Sequence, residues 1–378
     1  MPRRIATPLL AACLACVLAC VLACVQAGCG STAAGGAHPV RKTAAHPVPA
    51  SPSPSDPGFT GRHLLIAVEC DHDSVDVIGI DPDSGDTVTR RTFDAPPVPD
   101  REACGDSVLT RQLFDRDYER MAVQIHDEQN DADHVGYVDA SGKLHDLTGD
   151  PGSGFSDKQP HETNPVFDRV DNQIWFLGAY DGDQAVASRD ATTGALTDRG
   201  TLPERYGLFV YQGTQHATDF SLWNATWIAN QSETAIVSPG VDATGQTIEV
   251  KALVGGRDTE PTVNLPDAAS GCGPLGWVDD HTVLCREADY STPRARTSNF
   301  YTITLSADFS RVTSVGKRIL PDNDRNNNFV AIANDGSEMI FEADRGDTSD
   351  FYRVKLQPGS TPAPTAAIPT DYSILEWR

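Results

Sequence analysis

One pattern recurs along most of the chain and constrains its fold more than any other feature: an aromatic or aliphatic anchor, a polar turn, then a short apolar strand. The clearest copies are Phe114-Asp115-Arg116-Asp117-Tyr118-Glu119-Arg120-Met121-Ala122-Val123 and Phe167-Asp168-Arg169-Val170-Asp171-Asn172-Gln173-Ile174-Trp175-Phe176. Trp227 precedes Ala235-Ile236-Val237, and Trp277-Val278-Asp279-Asp280 precedes Val283-Leu284. Ile332 precedes Asn334-Asp335-Gly336 and Met339-Ile340-Phe341. The anchors fall roughly 50–60 residues apart, the period of an array built from one supersecondary unit. A second turn recurs at Asp81 to Gly85, Asp139 to Gly142 and Asp190 to Gly194, where glycine supplies a positive φ.

Between the turns the residues alternate. Val75 and Val77 alternate with Asp76 and Ile78, Ile248 and Val250 with Glu249 and Lys251, and Tyr301, Ile303 and Leu305 with Phe300, Thr302 and Thr304. Tyr352, Val354 and Leu356 alternate with Arg353 and Lys355. Period two marks half-buried strands. After residue 58 no amphipathic helix longer than two turns stands out. The fold class expected is all-β, with four short strands in each unit.

The turns resemble the Pro-Asp-Gly turns of TolB-like and WD40-like propeller repeats, most closely at Asn334-Asp335-Gly336. The resemblance covers about residues 62–378. It implies a β-propeller and says almost nothing about function. The ends set the blade count. His63-Leu64-Leu65-Ile66-Ala67-Val68 reads as the second strand of a blade that lacks a first, and Tyr372-Ser373-Ile374-Leu375-Glu376-Trp377-Arg378 as a first strand that lacks a second. Pairing the C-terminal strand with the N-terminal blade closes a six-bladed ring and removes exposed edges. The blades expected are 371–378 with 62–93, then 109–149, 163–201, 218–252, 272–319 and 326–367. An open sandwich, or a seventh blade hidden in a long loop, are the alternatives.

Residues 1–28 read as a leader. Arg3 and Arg4 precede an unbroken apolar run from Leu9 to Val25, followed by Gln26-Ala27-Gly28-Cys29. The block resembles a bacterial lipoprotein signal peptide, with Gln26 where an aliphatic residue is usual. The likeness extends to an actinobacterial type of envelope lipoprotein. It implies lipidation at Cys29, with acyl chains such as palmitate, and a protein anchored on the extracytoplasmic face of the cell membrane. An uncleaved membrane helix or an ordinary secretory signal would use the same run. Residues 29–58 are a tether rich in Pro, Ala and Ser, with too little apolar surface to fold. Residues 59–378 form the propeller domain.

The formal charge is −23 and becomes −25 once Arg3 and Arg4 leave with the leader. Such a surface repels nucleic acid and favours a soluble monomer. Four cysteines lie beyond Cys29: Cys70, Cys104, Cys272 and Cys285. In an oxidising compartment an even number reads as two disulfides. In the propeller, Cys272 starts the first strand of blade five and Cys285 ends the second, placing them opposite each other. Cys70 ends a second strand and Cys104 lies in the following crossing loop on the same face, so Cys70–Cys104 is the other expected bond.

Catalytic signatures are missing. There is no Gly-x-Ser-x-Gly elbow, no His-Glu-x-x-His helix and no phosphate-binding glycine loop. No cofactor and no metal site is expected. His126, His134, His161 and His216 read as solvated or satisfied residues. Asp322-Asn323-Asp324-Arg325-Asn326-Asn327-Asn328 faintly echoes a calcium loop but lacks its sixth-position Gly and terminal Glu. The feature with functional content is a set of acidic loops between second and third strands: Asp71 and Asp73; Asp127, Glu128, Asp131 and Asp133; Asp181 and Asp183; Glu287 and Asp289; Asp344, Asp347 and Asp350. All would emerge on one face, around the channel mouth. They suit a cation, a basic peptide, another protein or a polar glycan. A non-catalytic binding or scaffold protein is the first reading. A propeller enzyme acting on a sugar or polysaccharide through paired carboxylates in the channel is the alternative.

Overall fold

Alternation along each strand puts one apolar row against the preceding blade and one against the next, so the core lies between sheets rather than inside any one of them. A computed structural model describes residues 58–60, 63–71, 74–94, 107–149, 161–168, 171–178, 184–202, 206–211, 214–219, 228–232, 234–239, 246–252, 262–289, 297–344, 348–368 and 372–378. The described residues all belong to one unit spanning 54–378. Among them no helix is long and apolar enough to cross a membrane.

Blade one contains β1 (Leu65–Cys70), β2 (Ser74–Ile80) and β3 (Thr87–Asp94). A short helix, α1 (Ser107–Gln112), precedes blade two, which contains β4 (Arg120–Asp127), β5 (Ala132–Asp139) and β6 (Leu144–Asp146). Blade three is β7 (Glu162–Phe167), β8 (Gln173–Gly178), β9 (Gln184–Asp190) and β10 (Leu196–Leu202). A separate hairpin follows, β11 (Tyr206–Tyr211) with β12 (Thr214–Asp219). Blade four is β13 (Ile228–Ala229), β14 (Ala235–Pro239), β15 (Thr247–Ala252) and β16 (Thr262–Asn264). Blade five is β17 (Gly273–Trp277), β18 (Thr282–Asp289), β19 (Thr297–Leu305) and β20 (Val312–Val315). Blade six is β21 (Asn326–Ile332), β22 (Glu338–Asp344), β23 (Ser349–Lys355) and β24 (Ala363–Pro364). The last strand, β25 (Ser373–Trp377), returns to blade one and gives the sheet order β25-β1-β2-β3. The fold is thus a six-bladed propeller whose ring is closed by its C-terminal strand.

The closure is dense. Leu65 pairs with Trp377, Ile66 with Glu376 and Ala67 with Ile374. Leu64 and Arg378 exchange backbone hydrogen bonds of 3.1 and 2.9 Å. Trp377 is 1% exposed and packs with Leu65, Ala67, Ile78, Ala331 and Ile340, residues drawn from blades one and six. The Asn334 N–H donates to the Trp377 carbonyl at 2.8 Å. Arg111 of α1 is buried, lies over the Tyr118 ring and reaches Glu376. Arg378 also lies over that ring and donates to the Phe59 carbonyl.

Blade two departs from four full strands. Its innermost strand is reduced to one bridge, Phe114 to Met121. Helix α1 takes up the chain just before it, and Phe114 packs into the seam with Phe93 and Tyr118. Blade four also differs from expectation. Expected over 218–252, it runs from Ile228 to Asn264, and Thr218 and Asp219 belong to the hairpin instead. The fourth strand lies beyond residue 252 because Val263 pairs with Ile248 across a long connection.

Many aspartates owe their place to turns. Asp81, Asp139, Asp190, Asp279, Asp308 and Asp335 each accept backbone N–H groups two or three residues on. This is the Asx-turn chemistry that favours Asp at such sites. At Gly336 a Cβ would lie 1.7 Å from the Val278 carbonyl oxygen, and φ is +67°. Only glycine allows the blade-six turn to rest on blade five.

Candidate binding face

The turns between second and third strands follow β1, β4, β8, β14, β18 and β22. The connections that end at β7 and β21 emerge on the same face, since Asp133 at the start of β5 bridges His161 just ahead of β7. Of the acidic residues expected there, Asp71, Asp127, Glu128, Asp131, Asp133, Glu287, Asp289, Asp344 and Asp350 are described, and Asp73, Asp181, Asp183 and Asp347 lie outside the described residues. Cys29 and Cys104 also lie outside them. Asp71 and Asp131 are exposed, and Asp131 adopts a positive φ of 48° in its turn. Asp344 is half-buried at the end of β22, in register with Asn326.

Asp133 is the best-held of these carboxylates. It stands opposite His126 in the β4–β5 ladder. His126 Nδ1 is 3.0 Å from Asp133 Oδ1, Gln124 Nε2 donates to the same oxygen at 3.1 Å, and His161 Nδ1 is 3.4 Å from Oδ2. Partial burial works against the ionised form, but hydrogen bonds from His126, Gln124 and His161 outweigh it and hold the Asp133 carboxyl below its usual range. The same hydrogen bond raises His126. Asp127 is drawn down first by the Asn130 side chain and is committed to its own turn. Among the described residues no group of three His, Cys, Asp or Glu is placed to hold a metal ion.

His134 is buried, with Nδ1 2.9 Å from Asp146 Oδ2, and His161 and His126 share Asp133, so three of the histidines have carboxylate partners. The side chain of His216 is not described. The calcium-like run forms no loop of ligands. Asn326, Asn327 and Asn328 enter β21, and Asn323 Oδ1 accepts from the Arg325 N–H and the Asn327 amide.

Cys272 and Cys285 are bridged, with Cα atoms 5.1 Å apart. Cys70 is also disulfide-bonded. Two features were not visible in the sequence. Glu162 and Arg189, far apart in sequence, form a buried bidentate pair between β7 and β9. Arg286 of β18 meets Asn326 and Asn328 of β21 across the seam of blades five and six. An Asn-rich segment at the start of an inner strand was the available signal for the second, and nothing in the local sequence signals the first.

No known family model matches the chain, and no curated protein matches it. Among solved structures the chain is similar to the β-propeller domain of the trilobed protease from Pyrococcus furiosus, at 10% identity and a TM-score of 0.37, over 81% of this chain and 86% of that one. It is similar to TolB from Acinetobacter baumannii at 10% identity and a TM-score of 0.37, over 82% of this chain and 65% of that one. It is also similar to an oligogalacturonate lyase solved in complex with manganese, at 14% identity and a TM-score of 0.38, over 81% of this chain and 74% of that one. The likeness is one of fold alone, and TolB-like proteins are among these neighbours.

Proposed function

We propose that this chain is a lipid-anchored, extracytoplasmic binding or scaffold protein without catalysis of its own. It works as a monomer, held on the outer face of the cytoplasmic membrane by Cys29, and presents the loop face to a protein, basic peptide or glycan. The leader, the lipobox-like Ala27-Gly28-Cys29 and the Pro-rich tether support the address. The observation that carries the binding reading is Asp133, a carboxylate on the β4–β5 ladder held ionised by Gln124 and His126 of that ladder and by His161 ahead of β7. Every described carboxylate that departs from its ordinary value moves down, as Asp133, Asp127, Asp190 and Asp335 do. A general acid needs the opposite shift.

The test is cross-linking in cells followed by mass spectrometry, comparing wild type with Asp71→Asn/Asp131→Asn/Asp344→Asn. A specific partner captured by wild type and lost from the variant is expected. Equal capture by both would remove the acidic loops from the reading. Mass spectrometry of the mature N-terminus should find a diacylglyceryl group on Cys29, and a mature chain beginning elsewhere would end the anchoring proposal.

A further inference from the structure

Asp133 gathers imidazoles from two blades. His126 is its register partner across the β4–β5 ladder, and His161, just ahead of β7, meets it through a parallel backbone bridge. An ionised carboxylate only accepts, so Nδ1 of each ring carries the hydrogen, at 3.0 Å for His126 and 3.4 Å for His161. Nε2 is then the nitrogen that gains or loses a proton. The two side chains are 42% and 38% exposed, so that proton comes from solvent. The hydrogen bonds to Asp133 survive the titration, and only the charge changes.

The charge around the pair is one-sided. The turn from Asp127 to Asp133 adds Glu128 and Asp131 and no basic residue. Gln124, on the same side of β4, is neutral and donates to Asp133. On β7 the charged residue is Glu162, matched by Arg189, and β8 contributes none. His134 and Asp146 pair with each other on the opposite side of the ladder, since neighbours along β5 point opposite ways. Arg90, Arg91 and Asp94 of β3 lie on that side too, where Phe93 packs with Val138. The four carboxylates Asp127, Glu128, Asp131 and Asp133 carry a formal charge of −4, and protonating both imidazoles brings the group to −2.

We propose that His126, Asp133 and His161 form a charge switch that holds a cationic peptide on this face at neutral pH and releases it as pH falls. Histidine is the side chain whose charge changes between about pH 5 and 8. Neutral rings leave the carboxylates to attract lysine or arginine, and protonated rings set two positive charges beside them. For His126 the hydrogen bond to Asp133, then the charges of Asp133, Asp131 and Glu128, outweigh desolvation, so its change falls above the ordinary 6.5. The switch regulates the binding face proposed above and rests on that reading.

The probe is a hexalysine peptide, titrated calorimetrically into the full chain at low ionic strength, at about pH 8 and about pH 5.5. Lysine stays charged and ordinary carboxylates stay ionised across that window. Two added charges about 6 Å from a bound ammonium should weaken binding about ten-fold at the lower pH. His126→Gln/His161→Gln keeps neutral donors and should reduce that change to less than about three-fold. Asp133→Asn should move the midpoint of the affinity profile to lower pH. Equal hexalysine affinity of wild type at both pH values, the full change retained in the double variant, or an unmoved midpoint in Asp133→Asn would each overturn the switch and leave the binding face standing. No hexalysine binding at either pH would overturn the switch together with the basic-partner reading. If the double variant fails to fold, the midpoint of Asp133→Asn decides alone.

Discussion

Removing Glu162 should destabilise the propeller more than most single changes. Its side chain is 1% exposed and that of Arg189 is 4% exposed. The carboxylate accepts from Arg189 Nη2 at 2.7 Å, from Nε at 3.1 Å and from the Thr148 hydroxyl at 2.6 Å. Arg189 also donates Nη1 to the Gly194 carbonyl at 3.1 Å. Glu162→Ala deletes three charge-assisted hydrogen bonds, each worth about 1.5–3 kcal/mol. It relieves the carboxylate's own desolvation but strands a buried guanidinium. The net expectation is a loss of about 3–5 kcal/mol, the usual result of breaking one side of a buried pair. Glu162→Leu with Arg189→Met removes both charges and should come within about 1 kcal/mol of wild type. Urea denaturation measures both through the midpoint at constant slope. A loss below about 1 kcal/mol for Glu162→Ala, or a double variant no better than the single, would refute the account of this seam.

Deleting residues 371–378 should abolish cooperative unfolding, because burying Trp377 alone contributes on the order of 3 kcal/mol; a truncated protein melting within a few degrees of the full chain would contradict the closure. His126 should titrate above its ordinary 6.5 in proton-detected NMR, and Asp133→Asn should return it toward that value. The sign follows: protonated His126 favours the native state below pH 6.5, and that contribution fades as pH rises through its raised folded value. Asp133 acts in the opposite sense, stabilising above its unfolded value near 3.8 and losing that effect as pH falls through its lowered folded value. Non-reducing peptide mapping should recover Cys272 joined to Cys285, and Cys272→Ala/Cys285→Ala should cost about 3 kcal/mol through the loop it releases.

The strands and their closure were legible because both are written in alternation, which survives whatever the loops do. Leu65 and Trp377 each carry an apolar pattern that demands a partner, and the unpaired halves named each other. Blade two's lost inner strand was not legible. Ser107–Gln112 is too short to show a helical period, and Phe114 looks like any other strand anchor. The hairpin β11–β12 falls mostly between the spans expected for blades three and four, 163–201 and 218–252, because it carries neither the anchor nor the Asp-to-Gly turn of the repeat. The acidic loops could be read as a set, but not their occupancy: whether Asp127 caps its own turn or Asp133 gathers two histidines depends on register between neighbouring strands. Arg286 depended on a seam between blades, where contact follows from the ring and not from distance along the chain.

The ring closure also governs how long this protein takes to fold. Arg378 donates to the Phe59 carbonyl across a sequence separation of 319 residues. Until that end arrives, blade one lacks its inner strand, β1 presents a bare hydrogen-bonding edge, and the seam with blade six stays wet. Contacts this distant are slow to form because loop-closure entropy must be met before they stabilise anything. Five blades can assemble from local hairpins while the sixth interface waits, and the waiting state exposes the edge most able to pair with another molecule. A circular permutant with 378 joined to 58 by a flexible linker, which keeps Phe59 and its contact with Arg378, and with new termini opened in the connection between blades three and four would make β25 and β1 sequence neighbours. It should refold faster and aggregate less than the natural order, at little change in equilibrium stability.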